Sequence, residues 1–298
     1  MKTIKQRISY AVMGLITMGF TACTQNEDMA PTLKGQEINA TFSVGGMQTR
    51  VNTLGHGDSW EDKDKLKVSI FTDYDHGSTT VLSFNGETWS RAGSFRWLTD
   101  YEQHTILAVY PSDTDFWQEN LQYDLQTDQS SEGNLKNADL ITGYWYDFPR
   151  SYYVDIPMKH RMSLVTIVYH VGTADYPNKD ISEPQVYSKN NSVRFFRDPD
   201  QGKFVMNTPS GNPDWVKACK HDDGMFSAIV IPGSYKAGEI FVKFKIDDQN
   251  FHAKMKSDTE FQEGHRYTYK LDVGKDKVEL TRISVNDMTG WTNEEELK

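Results

Sequence analysis

The sequence of 298 residues is poor in cysteine, with only Cys23 and Cys219. Cys23 lies close to the N-terminus, directly after an apolar run, where a lipid-modified cysteine would stand. If Cys23 carries lipid, Cys219 has no partner within the chain, so a fold stabilised by disulfides is excluded. The protein must then be stabilised by its hydrophobic cores alone.

Positive charge is also in short supply, because 32 Lys and Arg face 42 Asp and Glu, for a formal net charge of −10. Such a surface repels the phosphate backbone, which argues against nucleic acid as a partner. It equally disfavours attachment to anionic lipid through a basic patch. The acidity is typical of a protein that stays soluble outside the cell.

Catalytic signatures are missing: the sequence contains no HExxH, no GxSxG, no phosphate-binding glycine loop and no dinucleotide fingerprint. Its histidines do not show the i, i+4 spacing of helical metal ligands. The acidic turns DYDHG and DPDQG suggest calcium, but the twelfth positions of the two loops are Phe84 and Pro209 instead of an acid. We therefore predict no enzyme, no cofactor and no metal site. A hydrolase with an unrecognised carboxylate pair is the weakest alternative.

Helical periodicity is scarce, whereas alternation of apolar and polar residues recurs along the chain. In INATFSV the residues Ile38, Phe42 and Val44 share one face, and HTILAVY is almost wholly apolar, which indicates a central strand. Many short strands without intervening helices predict an all-β protein of antiparallel β-sandwiches. The length favours two sandwich domains in tandem, at residues 38–155 and 156–298.

The first 22 residues read as a signal peptide, because basic residues precede the 13 apolar residues Ile8–Phe20. The following GFTAC resembles a bacterial lipobox. We predict that Cys23 is lipidated, with palmitate among its acyl chains, and that residues 23–37 form a tether to the membrane.

Two further stretches carry site hypotheses. In SVGGMQTRVNT, Arg50 is the only Lys or Arg between Lys34 and Lys63, and it lies in a glycine-rich loop after the first strand. This pattern suits either proteolysis between Arg50 and Val51 or a plain surface arginine in a loop. In GYWYDFPRSYY, the side chains of Tyr144, Trp145 and Tyr146 are candidate glycan contacts. They equally suit packing between two domains.

Several stretches together resemble the fimbrillin family, the subunits of type V pili on Gram-negative surfaces. They are the lipobox at Cys23, FSVGGMQTR followed by WEDKDKLKVSIF, IPMKHRMSLVTIVYHV, and FQEGHRYTYKLDV followed by Trp291. The resemblance implies two transthyretin-like β-sandwich domains and export as a lipoprotein. It also implies cleavage after Arg50 by a trypsin-like, arginine-specific protease, loss of the strand with Ile38, Phe42 and Val44, and replacement of that strand by a strand of another subunit.

The leading prediction is a stalk or tip pilin that supports cell adhesion, located on the outer membrane before processing and in the fimbrium afterwards. Its partners would be other pilin subunits, the outer membrane through lipid, the protease, and surface glycans or proteins of host or microbial cells. The alternative is a permanently lipid-anchored glycan-binding protein or a pilus anchor subunit.

Overall fold

The computed structural model describes residues 32–44, 60–118, 120–172, 179–198, 203–221, 224–274 and 277–287. The elements of the first half are β1 (Asn39–Val44), β2 (Lys65–Phe71), β3 (Ser78–Ser83), β4 (His104–Tyr110), β5 (Phe116–Trp117), β6 (Asn120–Asp124), α1 (Glu132–Asn137), β7 (Ile141–Asp147) and β8 (Tyr153–His160). Those of the second half are β9 (Ser163–Val171), β10 (Ser182–Ser188), β11 (Ser192–Asp198), β12 (Lys203–Met206), β13 (Asp214–Lys217), β14 (Cys219–His221), β15 (Met225–Val230), β16 (Gly233–Tyr235), β17 (Ile240–Ile246), β18 (Gln249–Lys254), β19 (Thr259–Phe261), β20 (His265–Val273) and β21 (Val278–Asp287). The all-β prediction is confirmed.

The first sheet has six strands in the order β1-β8-β7-β4-β2-β3. Strand β4 lies inside this sheet between β7 and β2, and all of its residues are buried. A strand covered on both faces has no polar side to show, so its sequence reads as a continuous apolar run. The central position predicted for HTILAVY is therefore confirmed.

Each face of the first sheet packs on a different neighbour. One face forms a small core that is covered by aromatic side chains from the irregular segment 84–97. The other face packs on a second sheet, β12-β11-β6-β5. There Tyr144 of β7 stacks on Phe204 of β12 with ring centroids 6.1 Å apart. This second sheet joins strands from both halves of the chain.

The C-terminal sandwich consists of a four-stranded sheet, β13-β10-β17-β18, and a five-stranded sheet, β14-β15-β9-β20-β21. The rings of Phe241 on β17 and Tyr269 on β20 meet 5.8 Å apart between the two sheets. A small sheet of β16 and β19 adds Tyr235 and Phe261 to this larger core. The chain thus carries two β-sandwiches in tandem.

Two strand pairs depart from antiparallel geometry. β1 runs parallel to β8, and β20 runs parallel to β9. Parallel neighbours require a long connection, and both pairs join strands that are far apart in sequence. The sequence pattern predicts antiparallel sandwiches, and these two pairs depart from that prediction. Alternation along one strand does not encode the direction of its partner, so the pattern could not reveal them.

The predicted boundary between residues 155 and 156 falls inside β8. This strand pairs with β1 on one side and with β7 on the other. The described residues from Leu33 onward form one compact unit, consistent with the second sheet drawing strands from both halves. A division into two separate domains at this position stays a prediction.

Buried Arg161 connects the two sandwiches. Its guanidinium donates to the Thr142 hydroxyl at 2.7 Å, to the Glu263 carboxylate at 3.0 Å and to the Phe204 carbonyl at 3.0 Å. Burial lowers the pKa of Arg161, and the Glu263 carboxylate offsets part of that effect. These contacts join β7, β12 and the loop before β20 at a single point.

Across the described residues, none of the helices has the length and apolar character needed to cross a membrane.

Candidate functional site

Strand β1 forms one edge of the first sheet and has a single partner strand, β8. Its register runs from Asn39 opposite Tyr153 to Val44 opposite Met158. An edge strand pairs along one side only, so it is held by fewer backbone hydrogen bonds than an internal strand. β1 is thus an element that can leave without breaking the remainder of the sheet.

The residues before β1 pair with a different segment of the chain. The Gly35 amide donates to the Trp97 carbonyl at 2.7 Å, and the Ile38 amide donates to the Phe95 carbonyl at 3.0 Å. The guanidinium of Arg96 donates to the Gly35 carbonyl at 2.8 Å. Residues 33–38 therefore lie against segment 93–100, and only from Asn39 onward does the chain pair with β8.

The side chains of β1 alternate as the sequence predicts. Phe42 and Val44, together with Ile38 directly before the strand, are at most 3% exposed and belong to the small core. On the opposite side, the hydroxyls of Thr41 and Ser43 donate to the Asp155 carboxylate at 2.9 and 3.1 Å. Because one face completes the core and the other is polar, the register of β1 on β8 is fixed.

Phe42 packs into an aromatic cluster. Its ring meets the Trp89 ring edge-on at 5.2 Å, and Trp89 lies 5.2 Å from both Trp60 and Phe84. A cleft of about 770 Å³ runs along β1 beside this cluster. The cleft shows that the aromatic cluster does not pack against β1 along its whole length.

Trp60 joins the beginning and the end of the loop that follows β1. Its indole N–H donates to the Phe42 carbonyl at 2.7 Å, so Phe42 and Trp60 lie next to each other although 18 positions separate them in sequence. The next turn is held to α1, since Lys136 Nζ lies 2.9 Å from Glu61 Oε2 and 2.8 Å from Asp64 Oδ1. The side chains of Glu61 and Asp64 outweigh the effect of burial and raise the pKa of Lys136.

His104 supports segment 93–100 from beneath. Its Nε2 accepts the Leu98 amide at 3.0 Å, its Nδ1 lies 3.0 Å from the Glu102 carbonyl, and its ring meets Trp97 edge-on. This pattern requires the neutral imidazole with its proton on Nδ1. Burial lowers the pKa of His104.

The three candidate glycan contacts lie on both faces of β7. Tyr144 stacks on Phe204, whereas Trp145 lies against Trp97 in the small core, with ring centroids 5.5 Å apart. Tyr146 is half-buried, and the guanidinium of Arg197 lies 4.2 Å from its ring centroid. Since neighbouring strand residues point to opposite faces, the three rings do not share one platform.

The sequence pattern does not identify Trp60 or segment 93–100 as parts of the site. Their contribution depends on contacts with β1 across large sequence separations, which alternation within one strand cannot reveal. The sequence does offer an indirect signal, since Trp89, Phe95 and Trp97 recur in a polar stretch without periodicity.

Several predicted site residues lie outside the described residues, namely Cys23, Arg50 and Val51. Within the described ranges, no group of three His, Cys, Asp or Glu residues is placed to hold a metal ion.

A sequence model of the family described as Fimbrillin-like matches residues 49–287. This match covers most of the chain. The chain belongs to the fimbrillin-like family. The match begins after β1, so β1 itself lies outside it.

Solved structures are similar to this fimbrillin-like chain, and two of them, with TM-scores above 0.5, share its fold. A candidate cell adhesion protein from Bacteroides uniformis superimposes with a TM-score of 0.62 at 18% identity, covering 85% of this chain and 97% of the other. A second one, from Bacteroides ovatus, gives a TM-score of 0.57 at 14% identity, covering 87% and 98%. The tip fimbrial protein Mfa3 from Porphyromonas gingivalis, with C-terminal truncation, gives 0.48 at 9% identity, covering 76% and 95%. None of the curated proteins compared with this fimbrillin-like chain matches it.

Proposed function

We propose that this fimbrillin-like protein is a structural subunit of a cell-surface fimbria, exported as a lipoprotein, processed after Arg50 and assembled by strand exchange. The observation that carries the proposal is the position of β1. The strand just before Arg50 is an edge strand, and yet its side chains complete a hydrophobic core.

Loss of β1 would uncover a groove on the first sheet. Three large apolar side chains, Ile38, Phe42 and Val44, would leave the small core. At about 1.5–3 kcal/mol for each, the burial lost is about 5–9 kcal/mol before any relaxation. The backbone groups of β8 that pair with β1 would also lose their partners. A strand from another subunit restores both the burial and the hydrogen bonds.

The covalent connection makes one cut sufficient. Lipid on Cys23 and strand β1 both lie on the N-terminal side of Arg50. Cleavage there by an arginine-specific, trypsin-like protease separates the body of the protein from both at once. The subunit then leaves the outer membrane and gains an open groove in the same step.

Two further observations support a cut in this loop. The hydrogen bond between Trp60 and Phe42 places the described residues on either side of Arg50 next to each other, so a cut at Arg50 separates neighbouring positions and interrupts no other element. In addition, the family match begins at residue 49, directly before Arg50 and after β1. The sequence similarity to the family therefore covers the part of the chain that would remain after the cut.

The test is the N-terminal residue of the surface protein from cells that produce wild-type chain, Arg50→Ala or Arg150→Ala. Arg150 is the matched control, since its side chain is 73% exposed. We expect wild type and Arg150→Ala to begin at Val51 and to form ladders on gels without boiling. Arg50→Ala is expected to stay folded, lipidated and monomeric.

Fibres formed by Arg50→Ala would refute processing at this residue. Wild-type protein that begins only at lipidated Cys23 would instead support the anchor-subunit alternative.

A further inference from the structure

A basic trough on the C-terminal sandwich is not explained by subunit assembly. It consists of two clefts, of about 390 and 530 Å³, that share Asn250, Phe251 and His252 of edge strand β18. The first cleft lies on the outer face of β17 and β18, and the second lies between β18 and β21. Because the same three residues line both clefts, the clefts are adjacent, and a ligand longer than one sugar can reach both; together they are called the basic trough.

Four lysines line the trough, two in each cleft: Lys243, Lys245, Lys254 and Lys256. The carboxylates in its lining are Glu183, 2.7 Å from Lys245, and Glu279, which pairs with Lys256 at 2.8 Å and also with Lys277. The lining therefore carries an excess of positive charge, although the whole chain has a net charge of −10. Such a contrast attracts an anionic ligand to this location.

Two of these cations are available to a ligand. Within the described part of the chain, no carboxylate lies within ion-pair distance of Lys243 or Lys254. The ammonium of Lys243 lies 3.9 Å from the centroid of the Trp215 ring. An aromatic face attracts an ammonium but accepts no strong hydrogen bond, so its N–H groups can still donate to an anion. Trp215 thus fixes the position of this charge in advance.

The spacing of the polar groups suits a chain of sugars. Lys243 pairs across the strands with His252, and Lys245 pairs with Asn250. These groups recur about 5 Å apart across the strands and about 7 Å apart along them, distances comparable with the length of one sugar ring. The amides of Gln185 and Asn250 can bind hydroxyls, and half-buried Phe251 offers an apolar ring to the shared wall.

We propose that the basic trough binds an acidic polysaccharide through the carboxylates or sulfates of its sugars. A membrane surface fits the trough less well, because Ile240 is the one apolar residue of its lining that is exposed, and a single side chain inserts little apolar area. The site does not depend on the cut at Arg50 or on strand exchange. It supplies a binding activity that a purely structural subunit lacks.

The test measures binding of the full chain to polygalacturonate, which carries carboxylates, to heparin, which carries sulfates, and to neutral dextran. The trough variant is Lys243→Gln/Lys254→Gln. The matched control is Lys65→Gln/Lys159→Gln, which removes the same charge from two exposed lysines on the first sheet. We expect binding to at least one acidic polymer and none to dextran. The trough variant should raise Kd about tenfold, because two exposed ion pairs are lost, and the control should leave Kd unchanged.

A second variant, Glu279→Gln, frees Lys256 and Lys277 and should tighten binding. A damaged fold cannot produce that gain. Failure to bind either acidic polymer, or equal weakening by the control variant, would overturn the proposal. So would anionic phosphatidylglycerol vesicles that bind through the same lysines when the polysaccharides do not.

Discussion

At the scale of single residues, His104 makes the stability of the fold depend on pH, because it holds segment 93–100, which lies against the residues before β1. The folded protein holds a neutral imidazole that accepts the Leu98 amide and donates to the Glu102 carbonyl. Burial lowers the pKa of His104 below its value in the unfolded chain, about 6.5. As the pH falls below that value, the unfolded chain binds more protons than the folded chain does. His104 therefore stabilises the fold fully above about pH 6.5 and less at lower pH.

We expect the free energy of unfolding to fall between pH 7 and pH 5, with His104 contributing up to about 1.4 kcal/mol per pH unit. In His104→Gln this contribution should be absent, because the amide can make both hydrogen bonds without titrating. Urea denaturation across the pH range measures the difference. The matched control is His252→Gln, which makes the same substitution at an exposed histidine. Identical slopes for wild type and His104→Gln would contradict the assignment.

At the scale of elements, β1 stabilises the uncut chain, and the proposed cleavage would remove that contribution. Phe42 is 2% exposed and packs against Trp89. Phe42→Ala should lower the stability of the uncut chain by about 3–5 kcal/mol, the usual effect of removing a buried aromatic ring. After cleavage at Arg50 and release of β1, wild type and variant should unfold alike, because the altered residue is no longer present in the body.

Urea titrations of cut and uncut protein test this prediction. Thr41→Ala is the control, since Thr41 lies on the polar face of the same strand and its loss should cost less than about 1.5 kcal/mol. A difference between wild type and Phe42→Ala that persists after the cut would mean that β1 stays bound.

The elements also show how much the sequence can predict. β4 is predicted to the residue, and β1 to within one, because apolar patterning and burial coincide there. β7 is not recognised as a strand, since its ITGYWYD packs on both faces and shows no alternation. β5 and β16 are too short to show any periodicity, and they are strands only because they pair with β6 and β19. Strand direction, as in the parallel pair of β1 and β8, depends on the path of the whole chain.

At the scale of the whole molecule, net charge conceals local charge. The excess of acids predicts repulsion of anions, and yet folding brings four lysines from β17, β18 and the turn after β18 to one depression. These lysines are scattered over residues 243–256 among other residue types, so the sequence shows no basic run. A sheet face is assembled from alternate residues of several strands, which is why composition alone could not predict the trough.

The two sandwiches should unfold together. The second sheet joins β5 and β6 to β11 and β12, and Arg161 binds β7, β12 and Glu263 at once. We expect tryptophan fluorescence, dominated by the small core, and far-UV circular dichroism to give coincident urea transitions.

Arg161→Ala should lower both urea midpoints equally. It should lower the free energy of unfolding by about 3 kcal/mol, since it removes one partner of a mostly buried ion pair. Arg150→Ala should change neither. Separate transitions of the two signals would show that each sandwich folds alone. A fluorescence midpoint that is unchanged in Arg161→Ala would show that Arg161 does not stabilise the first sandwich.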